Sequence, residues 1–212
     1  MRGLFFLILI LNLIQAGAIH IDRVKAFTTI NLFFMRKIVA GFATTIDGFI
    51  EGPNGEIDWI IFDAEQFKEL EVSWKKIDAM FHGRKTYEAS LKMKGEGSEE
   101  IVNSFAHMKQ YVFSNTLDKV EDNYILVNGD LKTEVEKIKN EPGGEIAVFG
   151  GADLVSSLLN LDLIDELSLA ICPVLLGKGK AFFPNVEKRI DWKVKEVKTY
   201  SSGLISITYK RK

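Results

Sequence analysis

The chain reads as an α/β domain, with a mostly parallel central sheet flanked by helices and a C-terminal antiparallel hairpin. Three observations predict it. Short apolar runs without alternation, the pattern of strands buried on both faces, recur between stretches of helical periodicity. Two of these runs, in Phe81-His82-Gly83-Arg84-Lys85-Thr86-Tyr87-Glu88 and Ala147-Val148-Phe149-Gly150-Gly151-Ala152-Asp153-Leu154, end in glycine and pass straight into a helix start. Near the C-terminus the pattern changes to two β-rich segments around Ser201-Ser202-Gly203, with Ile205, Ile207 and Tyr209 on one face, which predicts a hairpin.

Taken in order, Lys37 to Phe42 predicts a strand buried on both faces, followed by a polar loop over Thr44-Thr45-Ile46-Asp47-Gly48-Phe49-Ile50 and a turn at Gly52-Pro53-Asn54-Gly55. Asp63 can cap a helix whose apolar positions are Phe67, Leu70 and Trp74. Ile77 to Phe81 is the next strand, and Lys92 to Glu100, rich in Lys, Glu and Gly, reads as a surface loop. Gln110 to Phe113 and Tyr124 to Val127 predict two further strands. Leu131, Val135 and Ile138 then repeat at helical spacing behind an Asp130 cap, with Gly143 at the exit. Glu145 to Phe149 is a strand, Asp153 to Asn160 a helix, and Glu166 to Val174 a strand leading into the basic loop Leu176-Gly177-Lys178-Gly179-Lys180. The hairpin arms run over Lys193 to Tyr200 and Leu204 to Lys210.

The two glycine turns carry the chemistry. Backbone N–H groups at a helix N-terminus lack intrahelical partners and sit at the positive end of the helix dipole, so they attract anions. Glycine lets the backbone come close to the ligand. Two such turns, the first carrying Arg84, Lys85 and Thr86, point to a ligand with more than one phosphate, and a phosphorylated dinucleotide fits best. His82 stands at the lip of the first turn, where a packed or hydrogen-bonded histidine is the commoner reading.

Composition narrows the alternatives. With 212 residues, 47% of them hydrophobic, the chain has room for one full-sized domain. A formal net charge of −2, with no basic tract beyond Lys210-Arg211-Lys212, gives no electrostatic footprint for nucleic acid. Cys172 is the single cysteine, so an internal disulfide and a thiolate metal cluster are excluded. His20, His82 and His107 lie far apart without ligand spacing, so no metal site is expected.

Residues 1–34 stand apart from the rest. Arg2, the apolar run from Leu4 to Ile14 and the small residues Ala16-Gly17-Ala18 have the pattern of a secretory signal, while the run is short for a membrane span. The remainder, with no paired cysteines, suits a cytoplasmic protein whose synthesis starts at Met35. Either a mis-assigned start or a cleaved leader leaves a folded domain over 36–212 with no membrane partner, and a true signal would make the protein secreted.

Thr45-Ile46-Asp47-Gly48-Phe49-Ile50, Asp58-Trp59, Gly83-Arg84-Lys85-Thr86-Tyr87-Glu88, Phe113-Ser114-Asn115-Thr116-Leu117, Gly150-Gly151-Ala152-Asp153-Leu154 and Asp165-Glu166-Leu167, in that order, resemble the dihydrofolate reductase-like superfamily. Within it, the chain looks like the group built on the C-terminal reductase domain of the bifunctional riboflavin-biosynthesis deaminase/reductase. The resemblance covers about residues 36–212 and implies the dihydrofolate reductase-like fold, a homodimer and NADPH lying across the carboxyl ends of the strands. It implies that Gly83, Arg84, Lys85 and Thr86 hold the 2′-phosphate or the diphosphate, that Ser114 fixes the adenosine side, that Gly150, Gly151 and Ala152 let the backbone reach the diphosphate, and that Trp59 lies near the nicotinamide.

Two positions depart from the riboflavin-pathway pattern. Ser90 stands where an acid follows the first turn, and Phe149 where a glutamate precedes the paired glycines. A phosphoribosyl-aminopyrimidine would lose acceptors for its hydroxyl and amino groups. For the folate reading, a carboxylate is needed on the helix after the tryptophan, and Asp63 and Glu65 both lie nearby. The expected activity is therefore an NADPH-dependent reduction of a small heterocyclic, carbonyl or imine compound, related to 5-amino-6-(5-phosphoribosylamino)uracil reductase and dihydrofolate reductase. Asp47 is the candidate proton donor, with a turn-capping role as its alternative. The competing function is a catalytically inactive NADP(H)-binding sensor or dimeric scaffold.

Overall fold

The structure, a computed structural model, describes residues 35–93 and 105–212. The leader or alternative-start readings for 1–34 lie outside them, as does the surface loop beyond residue 93. In chain order the elements are β1 (Ile38–Thr45), β2 (Phe49–Glu51), α1 (Ala64–Trp74), β3 (Ile77–Gly83), α2 (Arg84–Met93), β4 (Lys109–Phe113), β5 (Tyr124–Val127), α3 (Leu131–Lys139), β6 (Glu145–Gly150), α4 (Ala152–Asn160), β7 (Glu166–Cys172), β8 (Lys180–Ala181), β9 (Trp192–Thr199) and β10 (Ile205–Arg211). Eight strands form one sheet in the order β5-β4-β3-β6-β1-β7-β10-β9. Pairing is parallel from β5 through β7 and antiparallel where β10 meets β7 and β9.

α1 and α2 pack on one face of the sheet, through Trp74 and through Tyr87 beside Tyr124, and α3 and α4 on the other. The main core lies under α3 and α4, where Ile38, Ala40, Ala79, Phe81, Ile146 and Val148 meet Val135, Ile138, Val155 and Leu158. Each such large side chain contributes about 1.5–3 kcal/mol by burial. The opposite face is more sparsely covered. There Met80, Met108 and Ile77 pack with Trp74 and Phe105, and α1 buries none of its own residues. That explains why β1 is not buried on both faces as its composition suggests: Ile38 and Ala40 are buried, but Gly41 is exposed.

Local chemistry sets most boundaries. Asp63 caps α1 by accepting from Glu65 and Gln66 N–H at 2.9 and 3.1 Å, and Asp130 caps α3 by accepting from Thr133 N–H at 2.9 Å. α3 ends at Asn140, not Gly143. Gly143 and the following Gly144 instead meet the start of β3, where Gly144 N–H donates to Asp78 Oδ2 at 2.7 Å. β1 runs on through Thr44 and Thr45, which sequence places in a loop, because both pair with β7 at Ile171 and Cys172 and are buried. β2 and β8, also read as loop, form a two-stranded antiparallel sheet.

At the amino ends of the strands the charged side chains interlock. Arg36, nearly fully buried, pairs with Asp78 and donates from Nε to Gly144 O at 2.8 Å. Asp78→Ala should leave that guanidinium without its carboxylate and cost about 2 kcal/mol, below the usual loss for a buried pair because Asp78 is half exposed. A lowered urea midpoint checks this, and an unchanged one refutes it. Glu166 lies one strand further along. Burial opposes its ionisation, but hydrogen bonds from Lys195 and Lys37 at 2.6 and 2.9 Å outweigh burial and hold it below the ordinary value of 4.5. A carboxylate depressed in this way stabilises the fold above its unfolded value and loses that contribution as the pH falls through its folded value. Glu166→Gln should therefore destabilise near neutral pH, and its gap to the unmutated protein should close as the pH drops below 4.5. Unfolding midpoints measured across that range would contradict the linkage if the gap stayed constant.

Candidate functional site

β3 and β6 are neighbours, with Phe81 opposite Val148 and His82 opposite Gly150, so both glycine turns leave the sheet at the same place. They touch there. A Cβ on Gly83 would lie 3.3 Å from Gly151 N, and one on Gly151 would lie 3.1 Å from Thr86 Oγ1. Gly150 has φ +124°, a conformation that a side chain would strain, and its peptide bond to Gly151 is cis.

A groove of about 590 Å³ opens along this junction. Gly83, Arg84, Lys85 and Thr86 line one side, Gly151, Ala152 and Asp153 the other, and Ser114 and Asn115 the end of β4. Gly150 supports the turn from behind, beside Phe42 and Thr86. Arg84, expected at the phosphate, bonds Glu88 at 2.9 Å, and Lys85 stands 3.6 Å from Asp153. Such exposed pairs contribute about 0–1 kcal/mol, so an incoming phosphate can displace them. Ser114 Oγ accepts from Thr116 and Leu117 N–H, both at 3.1 Å, which shapes the turn after β4. The start of α4 contrasts with α1 and α3. Its N-cap is Gly151, and among the described residues no side chain caps its first amide groups, which border the groove.

Sequence reading missed Glu51 and Lys180, which also line the groove and bond each other at 3.0 Å. The basic run ending at Lys180 was the available signal. What brings Lys180 to the groove is its pairing opposite Glu51 in the two-stranded sheet, a contact across 129 positions of chain that no local pattern announces.

Two candidate residues lie away from the groove lining. Trp59 packs with Cys172, Tyr200 and Leu204 and donates from Nε1 to Glu56 O at 3.2 Å. Asp47 accepts from Thr45 Oγ1 at 2.6 Å, from Gly177 N–H at 2.7 Å and from Leu176 N–H at 3.2 Å. The Thr45 hydroxyl, reinforced by those amides, holds its carboxyl below the usual aspartate range. The bonding is that of a clamp between the β1–β2 turn and the β7–β8 loop, the contacts that the turn-capping reading of Asp47 calls for. Asp63 is likewise engaged, held below the usual range by the Ser202 hydroxyl and the α1 amides. Ser90 Oγ turns back to Tyr87 O at 2.8 Å.

His82 is buried, and its Nε2 lies 2.5 Å from Gln110 Oε1, while Gln110 Nε2 donates to Phe105 O at 3.0 Å. The amide orientation makes His82 Nε2 the donor and leaves Nδ1 an acceptor without a hydrogen-bond partner among the described residues. Burial pushes the imidazole pKa down against the opposing effect of Gln110, so the ring is neutral near pH 7.

The sheet order and the paired glycine turns define a dihydrofolate reductase-like α/β domain. The chain belongs to the RibD C-terminal domain family, whose model matches residues 36–206. It is 38% identical over 180 residues to YyaP of Bacillus subtilis (strain 168), covering 82% of this chain and 94% of that protein. Among solved structures it is similar to a protein of Shewanella sp. PV-4 named for riboflavin biosynthesis, with TM-score 0.69 and 26% identity over 83% of this chain and 99% of that one. It also shares its fold with dihydrofolate reductase from Enterococcus faecalis, solved with NADP(H), at TM-score 0.58 and 16% identity over 84% of this chain and 98% of that one. Among the described residues no helix is long and apolar enough to cross a membrane.

Asp47→Asn should weaken the clamp and speed amide hydrogen exchange at Leu176 and Gly177. Unchanged exchange at those two amides would show that the loop is held by other contacts.

Proposed function

We propose that this protein is an NADPH-dependent reductase of a small heterocyclic, carbonyl or imine compound. The observation that carries the reading is the α4 N-terminus, uncapped by any described side chain, facing Arg84 and Lys85 across a groove that glycine keeps open. A side chain at position 151 would press on Thr86 Oγ1, at 3.1 Å, which is the space a diphosphate would need. Arg84, Lys85 and Thr86 bind the remaining phosphate by charge-assisted hydrogen bonds, releasing Glu88 and Asp153. Ser114 and Asn115 orient the adenosine end beside β4. When bound, the dinucleotide supplies a hydride. The protein's own contribution is position and exclusion of water, with the proton drawn from solvent, because Asp47 and Asp63 are occupied as ionised acceptors. The cytoplasm, where such a cofactor is reduced, is the compartment this reading requires.

The engagement of both acids also gives a non-catalytic NADP(H) sensor its one supporting observation. Oxidation of bound NADPH by an acceptor of the proposed class separates the two, and tight binding without oxidation by any of them favours the sensor.

Arg84→Ala should weaken NADPH binding by about 10-fold or more, the loss of a charge-assisted bond, and change NADH binding far less. Calorimetric titration with each nucleotide checks this. Equal losses for both would place Arg84 away from the extra phosphate.

A further inference from the structure

α1 stands off the sheet. It buries none of its own residues, and on the side of the antiparallel strands it is held at Glu69, whose Oε2 accepts from Lys198 Nζ and from Tyr200 OH, both at 2.9 Å. Burial, followed by the bond to Glu69, pushes the Tyr200 phenol up to about 12, so it remains a donor. Between α1 and strands β7, β10 and β9 opens a cavity of about 480 Å³, within the range of about 300–1,000 Å³ usual for small-molecule sites. It shares no lining residue with the groove beside the glycine turns.

The strand register builds the floor of this cavity. Ser168, Thr208 and Glu196 stand side by side on β7, β10 and β9, and two residues along β10 Ser206 stands beside Lys198 on the same face. Gln66, Glu69 and Leu70 of α1 form the opposite wall. The charged groups are engaged with one another: Lys198 bonds Glu69 and lies 3.4 Å from Glu196. With the exposed Lys68, two cations balance two carboxylates, so the lining has no net charge. The hydroxyls do not share in this bonding. Ser168, Thr208 and Ser206 are partly buried, and among the described residues neither their side chains nor the Gln66 amide has a hydrogen-bond partner. Partly dried polar groups take partners from whatever fills the space, and a hydroxyl both donates and accepts.

We propose that this cavity is a binding site for a small neutral polyhydroxylated compound, a sugar or polyol, held by Ser168, Thr208, Ser206 and Gln66. Neighbouring hydroxyls on such a ligand each donate to one residue and accept from the next, which matches a floor of hydroxyls beside an amide. Leu70 gives the C–H face of the ligand an apolar contact. A charged ligand would have to break the Lys198–Glu69 pair without gaining from any net field, and an aliphatic one would leave the hydroxyls dry and unpaired. No part of this site enters the NADPH reading.

The test is equilibrium dialysis of the full chain against radiolabelled myo-inositol, D-glucose and D-sorbitol, with cyclohexanol as the deoxygenated counterpart and D-gluconate as the charged one. At least one of the neutral polyols should bind at millimolar concentration, and more tightly than cyclohexanol or D-gluconate. Thr208→Val, which keeps the branched shape but removes the hydroxyl, should weaken that binding about fivefold, while Thr208→Ser keeps it. Ser168→Phe, which fills the floor of the cavity, should abolish it. Urea midpoints show which variants are folded, and if Ser168→Phe is not, the Thr208 pair decides alone. Absence of binding by all the neutral polyols, equal binding of cyclohexanol or D-gluconate, or unchanged affinity in Thr208→Val overturns the inference.

Discussion

Gly83 and Gly151 come within van der Waals reach of each other because β3 and β6 are adjacent and parallel, and because a register shift between Phe81 and His82 sets His82 opposite Gly150. Everything at the carboxyl edge follows from that approach. The strand ends deliver α2 and α4 to opposite faces of the sheet, so two helix N-termini converge from the two sides on one groove. A methyl group at either glycine would press on backbone or on Thr86 Oγ1. The same register aims the residues before the glycines, His82 and Phe149, onto the α1/α2 face, away from the main core. A single-residue slip would exchange the faces and send both rings into the aliphatic core.

What could be read from sequence was chemistry that acts over a few residues. The glycine turns, the Asp63 and Asp130 caps and the hairpin around Ser201-Ser202-Gly203 each follow from bonds between near neighbours, and the structure contains them. The misses were long-range. Thr44 and Thr45 look like loop residues until β7 supplies Ile171 and Cys172 as partners. β2 and β8 are too short for a period to register, and each exists only through the other. For Asp47 the local sequence gives no sign of two of its partners, Leu176 and Gly177 N–H, which lie in a loop far along the chain. Trp59 shows the same limit: its packing against Cys172, Tyr200 and Leu204 depends on the terminal strands.

The groove is not a field of free positive charge, as the overall charge of −2 already indicates. Arg84, Lys85 and Lys180 each stand beside an acid, Glu88, Asp153 or Glu51. These pairs are solvent-exposed and worth little individually, so they hold the cations in place without burying them. A multiply charged phosphate offers each cation a stronger partner. The amides of α4 strengthen that exchange because they have no side-chain acceptor to give up. Binding then depends on what the site already leaves unsatisfied, which favours an anion with several phosphate oxygens over a single carboxylate.

Phe149 immediately precedes the glycine pair, so an exposed aromatic ring stands next to the turn that borders the groove, with a physical consequence for any molecule lying across both. A ligand whose phosphates occupy the α4 side and whose uncharged end reaches past Gly150 meets Phe149, with its neutral histidine backing, rather than an acid. A carboxylate at that strand end would give a polar substrate an acceptor, while an aromatic ring favours contact area and exclusion of water. Exclusion of water also strengthens every electrostatic interaction across the junction, because charges in a drier site are less screened. A nucleotide bound as proposed would therefore find its hydrogen-bonding partners along the groove and an aromatic surface at Phe149.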